Sequence, residues 1–423
     1  MLDREHAPTI YLPDEDVSGM GVRNSQAVRA SYAVGRAEPG RAVLNAIQDD
    51  ATLSALLTPP PGAPSQDDGW EFAEMVEDNI GRAERRRAFE LPGLLVESAA
   101  RNVLAAGGST DDVAPIIEAL PEVLEHVRNL ISGQAGRAYV GAAFAGVRVP
   151  EGTRLHTPWG VLRCAAEPER SHRPGGSPEA WSIVEAEIPL RWTLGERTAG
   201  APLDISEQFS RAQEKVQRLS LAGLLAFGQA AVPRLTWFYL RAPLRGWGPN
   251  AWPATVGWTG QPHQEPDALA PAQQEELVQW CNVVDTRQES TIAIAERRVL
   301  SAITDRSHSD EDALIDAVIA WENLFGHGSN VEMTFRVTAS LAILLEPDPV
   351  KRPELAKELR RIYGDRSTVA HGGTLSAGRN LPGERTRAIA VAVEALRSLY
   401  RDYPDLLSDP GRGMRLILGG RPD

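Results

Sequence analysis

The stretch Asp365-Arg366-Ser367-Thr368-Val369-Ala370-His371-Gly372-Gly373 closes a helical run and sets an Arg and a His five residues apart. The helix leading into it carries Leu355, Leu359, Ile362 and Tyr363, and Pro353 suits its first position. Upstream, Pro347, Pro349 and Pro353 force a connector after a helix over about 331–345, whose inward face is Met333, Val337, Leu341, Leu344 and Leu345. Before that, Ser309-Asp310-Glu311-Asp312 is a Ser-x-x-Asp capping box. The helix it starts buries Ala313, Leu314, Ala317, Val318, Trp321, Leu324 and Phe325 and stops at Gly326 and Gly328. Leu277, Trp280, Cys281 and Val284 open an earlier helical run that continues to Ile303, and Ile389, Val393, Leu396 and Leu399 mark a last helix over about 384–400. Short loops between helices of this length predict antiparallel neighbours and an up-and-down bundle over 270–410.

The rest of the chain is less regular. Residues 1–69 lack periodicity and end in the Pro-rich Thr58–Ser65 stretch, which predicts an N-terminal arm and linker. Residues 70–265 read as a mixed α/β domain. There Ile116, Leu120, Val123, Val127 and Leu130 fall at helical spacing after Thr110, Asp111 and Asp112, with Pro121 predicting a kink or two helices. Three strands follow over about 137–149, 153–165 and 181–192, the second turning at His156–Gly160. Residues 167–178 read as a loop, 205–230 as a helix, and 237–271 as irregular, with Trp247, Trp252 and Trp258 among Gly and Pro. Residues 411–423 read as a tail. The fold class expected is α+β, mostly α.

Composition narrows the function. The 423 residues are 42% hydrophobic and 24% charged, as in globular domains. A net charge of −13 opposes a whole-molecule grip on nucleic acid or anionic membrane, so any polyanion site must be a local basic patch. Two cysteines, Cys164 and Cys281, provide no disulfide framework and no four-Cys zinc site. No signal peptide is visible, and the best apolar run, Ser220 to Val232, is too short to span a bilayer, which predicts a cytoplasmic protein. His156, Cys164 and His172 lack zinc-site spacing, and no P-loop, Gly-x-Ser-x-Gly elbow or His-Glu-x-x-His occurs. No metal and no cofactor is expected. His308 and His327 sit beside helix boundaries and read as surface residues.

Three elements in order carry a family resemblance: the helix over 312–325, the Glu332-x-x-x-Arg336 pattern, and the Tyr363-x-x-Arg366-Ser367-x-x-x-His371-Gly372 run. Together they resemble the Apea-like branch of the HEPN superfamily, over about residues 275–405. The resemblance implies a HEPN helical bundle, a homodimer with facing motifs, and metal-independent cleavage of RNA. It further implies a defence or toxin-like effector role in bacteria, with the N-terminal region sensing a trigger or restraining the nuclease. The catalytic pair it implies is Arg366 and His371. One departure is Ser367, where many catalytic members carry Asn, Asp or His.

The residue types suit that chemistry. Attack of an RNA 2′-hydroxyl on the adjacent phosphorus needs a general acid/base and a fixed cation. His titrates near neutrality, and an Arg fork matches phosphate oxygens. Tyr363 suits orientation of a phosphate or base. From Lys351 to His371, six basic residues against three acidic ones leave +3, and Lys357, Arg360 and Arg361 make a candidate RNA track. Five residues on a straight helix turn through about 500°, so Arg366 and His371 stand about 140° apart unless the helix distorts near Gly364 or two protomers share a cleft. The structural alternatives are definite. His371 caps a helix C-terminus, Arg366 pairs with Asp365 or Glu322, the basic run is a solvated face with i,i+4 ion pairs, and the Trp residues of 237–258 are packing rather than a stacking platform. In that reading the bundle is a non-catalytic RNA-binding or dimerisation module.

Overall fold

In a computed structural model of the chain, the residues described are 38–57, 76–78, 82–84, 91–109, 114–171, 179–194, 207–244, 265–287, 290–304, 309–326, 332–373 and 380–421. They divide into two units. The first holds the described residues up to Gln217 with 235–244 and 265–268, and the second holds 218–234 and those from Leu269 onward. Helices dominate and the sheets are small, as the α+β expectation requires.

The first unit opens inside the stretch expected to be an arm. Helix α1 (Glu38–Asp49) and a 3-10 turn (Leu53–Leu57) bury Leu44, Ile47, Leu53 and Leu56. Asp50 reverses the chain between them by accepting from the backbone N–H of Thr52 and Leu53, and Arg128 closes on the same carboxylate at 3.0 Å. Helix α2 (Leu91–Ala105) is buried on nearly every side and packs on α3 (Ala114–Ile131). α3 is a single helix that passes through Pro121, not two. Its expected caps at 110–112 lie outside the described residues.

Two sheets complete this unit. Strands β1 (Val76–Asp78), β2 (Arg82–Glu84) and β7 (Trp192–Leu194) form one, in the order β2-β1-β7. The larger sheet has the order β4-β5-β6-β3-β8, from β3 (Gly136–Ala145), β4 (Arg154–Thr157), β5 (Gly160–Cys164), β6 (Ser182–Leu190) and β8 (Arg234–Arg241). The β4–β5 hairpin turns where the His156–Gly160 signal placed it, and β5–β6 and β6–β3 also pair antiparallel. β8 corrects the irregular reading of 237–271. Trp237 lies on this strand, fully buried against Ala143, Ala165, Ala180 and Ile183, so it is packing and offers no stacking face. Trp247, Trp252 and Trp258 lie outside the described residues.

The expected loop after β5 contains a short helix, α4 (Glu167–Ser171), fixed by a buried ion cluster. Arg163 donates two hydrogen bonds of 2.7 Å to Glu169, whose carboxylate also accepts from the backbone of Ala166. Glu185 lies 3.7 Å from the same guanidinium and is clasped by Arg241 at 3.0 and 3.2 Å. The stretch expected as one helix over 205–230 is two: α5 (Glu207–Gln217) packs on β3 and β6, and α6 (Leu219–Phe227) belongs to the second unit.

α6 is apolar all round, with seven of its nine residues buried, so it needs a core on every side. It packs on α7 (Pro271–Thr286), α8 (Ala293–Thr304) and α12 (Leu381–Arg401). Arg397 of α12 donates to the terminal carbonyls of Leu225 and Ala226, which closes the α6 C-terminus. At the centre stands α9 (Asp310–Phe325), started by the Ser309 box: Ser309 Oγ accepts from the Asp312 N–H and the Asp312 carboxylate reaches back. α9 touches α8, α10 (Met333–Leu345), α11 (Arg352–Ala370) and α12, and Trp321 donates from Nε1 to the Ala388 carbonyl at 3.1 Å.

After the short α13 (Pro404–Leu407), the residues expected as a tail form α14 (Arg412–Gly419), which packs on α10. Arg412 is only 1% exposed and donates to the carbonyls of Leu324, Leu406 and Leu407 and to the Thr291 hydroxyl. The Leu324 carbonyl is at the end of α9, so this cation also meets that helix's negative pole.

Candidate active site

α11 carries every candidate catalytic or RNA-binding residue except His371, which follows it as the C-cap. Leu359, Ile362 and Asp365 are buried and define its inner face. Tyr363 and Arg366 flank that face and are half-buried, whereas Lys357, Arg360, Arg361 and His371 are exposed. α11 runs unbroken through Gly364, so no helix distortion brings the pair together within one chain. At about 100° per residue, Arg366 and His371 point about 140° apart, and the difference in exposure agrees.

Glu322, near the end of α9, collects the inner residues. The Tyr363 hydroxyl donates to Glu322 Oε1 at 2.5 Å, and Arg366 Nη2 stands 3.5 Å from Oε2. Of the two acids weighed as structural partners for Arg366, Glu322 is thus the one it meets. The contact is long for a charge-assisted hydrogen bond, which spans about 2.7–2.9 Å. Arg366 Nε is buried and finds no acceptor among the described residues. Burial, then the hydrogen bond and charge of Glu322, push the Tyr363 phenol up to about 12, against the opposing pull of Arg366 and Thr334. The phenol is therefore a fixed neutral donor at pH 7. Thr334, in the first turn of α10, is a residue that the sequence reading passed over; nothing local links it to Tyr363.

His371 ends α11, its backbone N–H donating to the Ser367 carbonyl at 3.2 Å. Gly372 follows in the left-handed region at φ 72°, where a glycine pays no Cβ penalty, and the N–H groups of Gly372 and Gly373 satisfy Val369 and Thr368. The C-cap role weighed for His371 is what its backbone does. Its imidazole is exposed beside the negative end of the helix.

The basic run is divided by its partners. Lys351 lies 3.9 Å from Asp348, Arg352 donates to the carbonyls of Glu346 and Pro347, and Arg361 is bonded to Glu384. Glu358 hydrogen-bonds Arg387 of α12 at 2.9 Å instead of a neighbour on its own helix. Lys357 and Arg360 remain exposed with no acidic partner among the described residues. The Glu332–Arg336 pattern is not held within one helix: Glu332 stands just before α10 in the left-handed conformation at φ 58°, and Arg336 is buried.

Among the described residues no group of three or more His, Cys, Asp or Glu could hold a metal ion, and no helix is long and apolar enough to cross a membrane. Both cysteines are free, but burial pushes the Cys281 thiol up to about 12 and raises that of Cys164, so neither is a ready nucleophile. Comparison with family models, with curated proteins and with solved structures returns no match for this chain.

Proposed function

We propose that the C-terminal bundle is a HEPN-type, metal-independent endoribonuclease whose site is completed between two copies of the chain. The observation that carries this reading is the split presentation on α11: a loosely tethered guanidinium at Arg366, one turn before the helix end, and an exposed imidazole at His371, the C-cap. In a dimer with the α11 ends apposed, each copy supplies what the other turns away. The RNA 2′-oxygen attacks phosphorus, forming one P–O bond as the P–O5′ bond breaks. His371 carries the proton of the 2′-hydroxyl to the departing 5′-oxygen, and Arg366, leaving Glu322 for the phosphate, steadies the charge on the phosphorane. Products are a 2′,3′-cyclic phosphate and a 5′-hydroxyl. Lys357 and Arg360, with Arg361 if it leaves Glu384, form the RNA track. Such an effector acts in the cytoplasm, in a bacterial defence or toxin-like role.

The Arg366–Glu322 contact also favours a second reading, in which the pair is structural and the bundle binds RNA or dimerises without cutting. One experiment separates the two. Purified protein is incubated with total RNA in EDTA beside Arg366→Ala and His371→Ala. Cleavage by wild type alone, leaving cyclic phosphate ends, supports the nuclease. RNA left equally intact by all three removes it, and retained RNA binding would then favour the second reading.

A further inference from the structure

The first unit contains a cavity of about 490 Å³ between one face of the larger sheet and the α2–α3 pair. Four arginines line it from four different elements: Arg101 on α2, Arg137 on β3, Arg154 on β4 and Arg241 at the end of β8. Among the described lining residues only two carboxylates answer them, Glu122 and Glu185. Four positive charges against two negative leave the wall at +2 in a chain whose net charge is −13.

The ion pairs place that excess. Glu185 is matched within the protein, clasped by Arg241 and approached by Arg163. Arg241 further donates to Asn102 Oδ1 at 2.7 Å and stacks 3.9 Å from the Tyr139 ring centroid, so it forms a rigid floor. Arg154, by contrast, is exposed and donates to a backbone carbonyl, that of Ala105, with no acidic partner among the described residues. Arg137 is 61% exposed, and its nearest acid, Glu187, lies 3.9 Å away and is itself half in water, a pairing worth little. The cations thus run from a buried wall at Arg101 to an exposed rim at Arg137 and Arg154. His126 adds a donor rather than an acceptor: its Nε2 accepts from the Arg137 N–H at 3.0 Å, and burial holds its pKa below the ordinary imidazole value, which leaves the proton on Nδ1.

We propose that this cavity binds a small organic phosphate, of sugar-phosphate or nucleotide size. A lining rich in donors and short of acceptors selects an anion. Forks arriving from several directions suit a phosphoryl group with three terminal oxygens better than a planar carboxylate with two. The volume falls within the roughly 300–1,000 Å³ of small-molecule sites, more than a bare phosphate ion fills. The acidity of the whole chain repels a polyanion, whereas a local field inside a cleft draws in a single small one. The site stands whether or not the C-terminal bundle cuts RNA.

Calorimetry on the full chain tests it, with inorganic phosphate, ribose 5-phosphate, glucose 6-phosphate, AMP, GMP, CMP and UMP as probes, and citrate and a 12-mer RNA as contrasts. At least one organic phosphate is expected to bind one per chain, about tenfold tighter than inorganic phosphate or citrate, a difference of roughly 1.4 kcal/mol. Arg154→Gln and Arg137→Gln are each expected to weaken it about tenfold. Lys215→Gln, an exposed charge on α5 away from the cavity, is expected to leave it unchanged, and the melting temperatures of the ligand-free variants verify folding. The sugar phosphates and the nucleotides distinguish the two sources. The proposal is overturned if no organic phosphate saturates at millimolar concentration, if citrate binds as well, if both rim substitutions are silent, or if only the RNA binds.

Discussion

Arg366 on α11 and Glu322 on α9 face each other at 3.5 Å across 44 residues of sequence, each about a quarter exposed. Because both partners are partly in water, the pair itself contributes little to stability, on the order of 1 kcal/mol or less. Glu322→Gln keeps an acceptor for Tyr363 and removes the charge. Urea denaturation is expected to show a loss of about 1 kcal/mol or less, and absorbance titration a Tyr363 pKa moving back toward the ordinary phenol value.

Arg412 gives a larger effect. It is the shared donor for the carbonyls of Leu324, Leu406 and Leu407. Arg412→Ala would leave buried acceptors unmet, each costing about 1–3 kcal/mol, so a total loss above about 3 kcal/mol is expected in denaturant melts. Gly413→Ala, one residue on, is expected to cost about 1–3 kcal/mol, since its Cβ would meet the Phe325 carbonyl oxygen at 2.5 Å. Met414→Ala, at 41% exposure, should be near neutral.

The buried Arg163–Glu169 pair should behave asymmetrically. Glu169→Ala removes both 2.7 Å bonds of a guanidinium that is 4% exposed and leaves it with Glu185 at 3.7 Å, so it is expected to destabilise the first unit by about 1–3 kcal/mol. Replacing both residues with apolar side chains of similar volume should cost clearly less. Denaturation followed by tryptophan fluorescence on the single and double variants compares them.

His126 sets a pH dependence. Burial depresses its folded-state pKa below the ordinary value of about 6.5, so the unfolded chain takes up a proton first as the pH falls. The stability it contributes is whole above about pH 6.5 and is lost as the pH drops toward the folded pKa. Urea midpoints from pH 7.5 to 5.0 should fall more steeply for wild type than for His126→Gln, and equal slopes would contradict this.

From sequence alone, the helices between about 309 and 401 were legible to within a few residues, and so was the β4–β5 hairpin, whereas the single run expected from Leu277 to Ile303 is two helices, Pro271–Thr286 and Ala293–Thr304. Their signals are local: a capping box spans three residues, an apolar stripe repeats every three or four, and a tight turn needs only a few adjacent residues. Arg366 and His371 were legible as types at a spacing, and even their angular separation followed from an unbroken helix. What only the tertiary structure decided lies at long range. The reach of Arg397 to α6 crosses 172 residues, and the bond from Arg412 to Leu324 crosses 88. The cavity gathers arginines at 101, 137, 154 and 241, which have no common period. A charge on one helix carries no mark of which distant carbonyl or carboxylate will face it, because strand order and helix packing, not neighbouring residues, choose that partner.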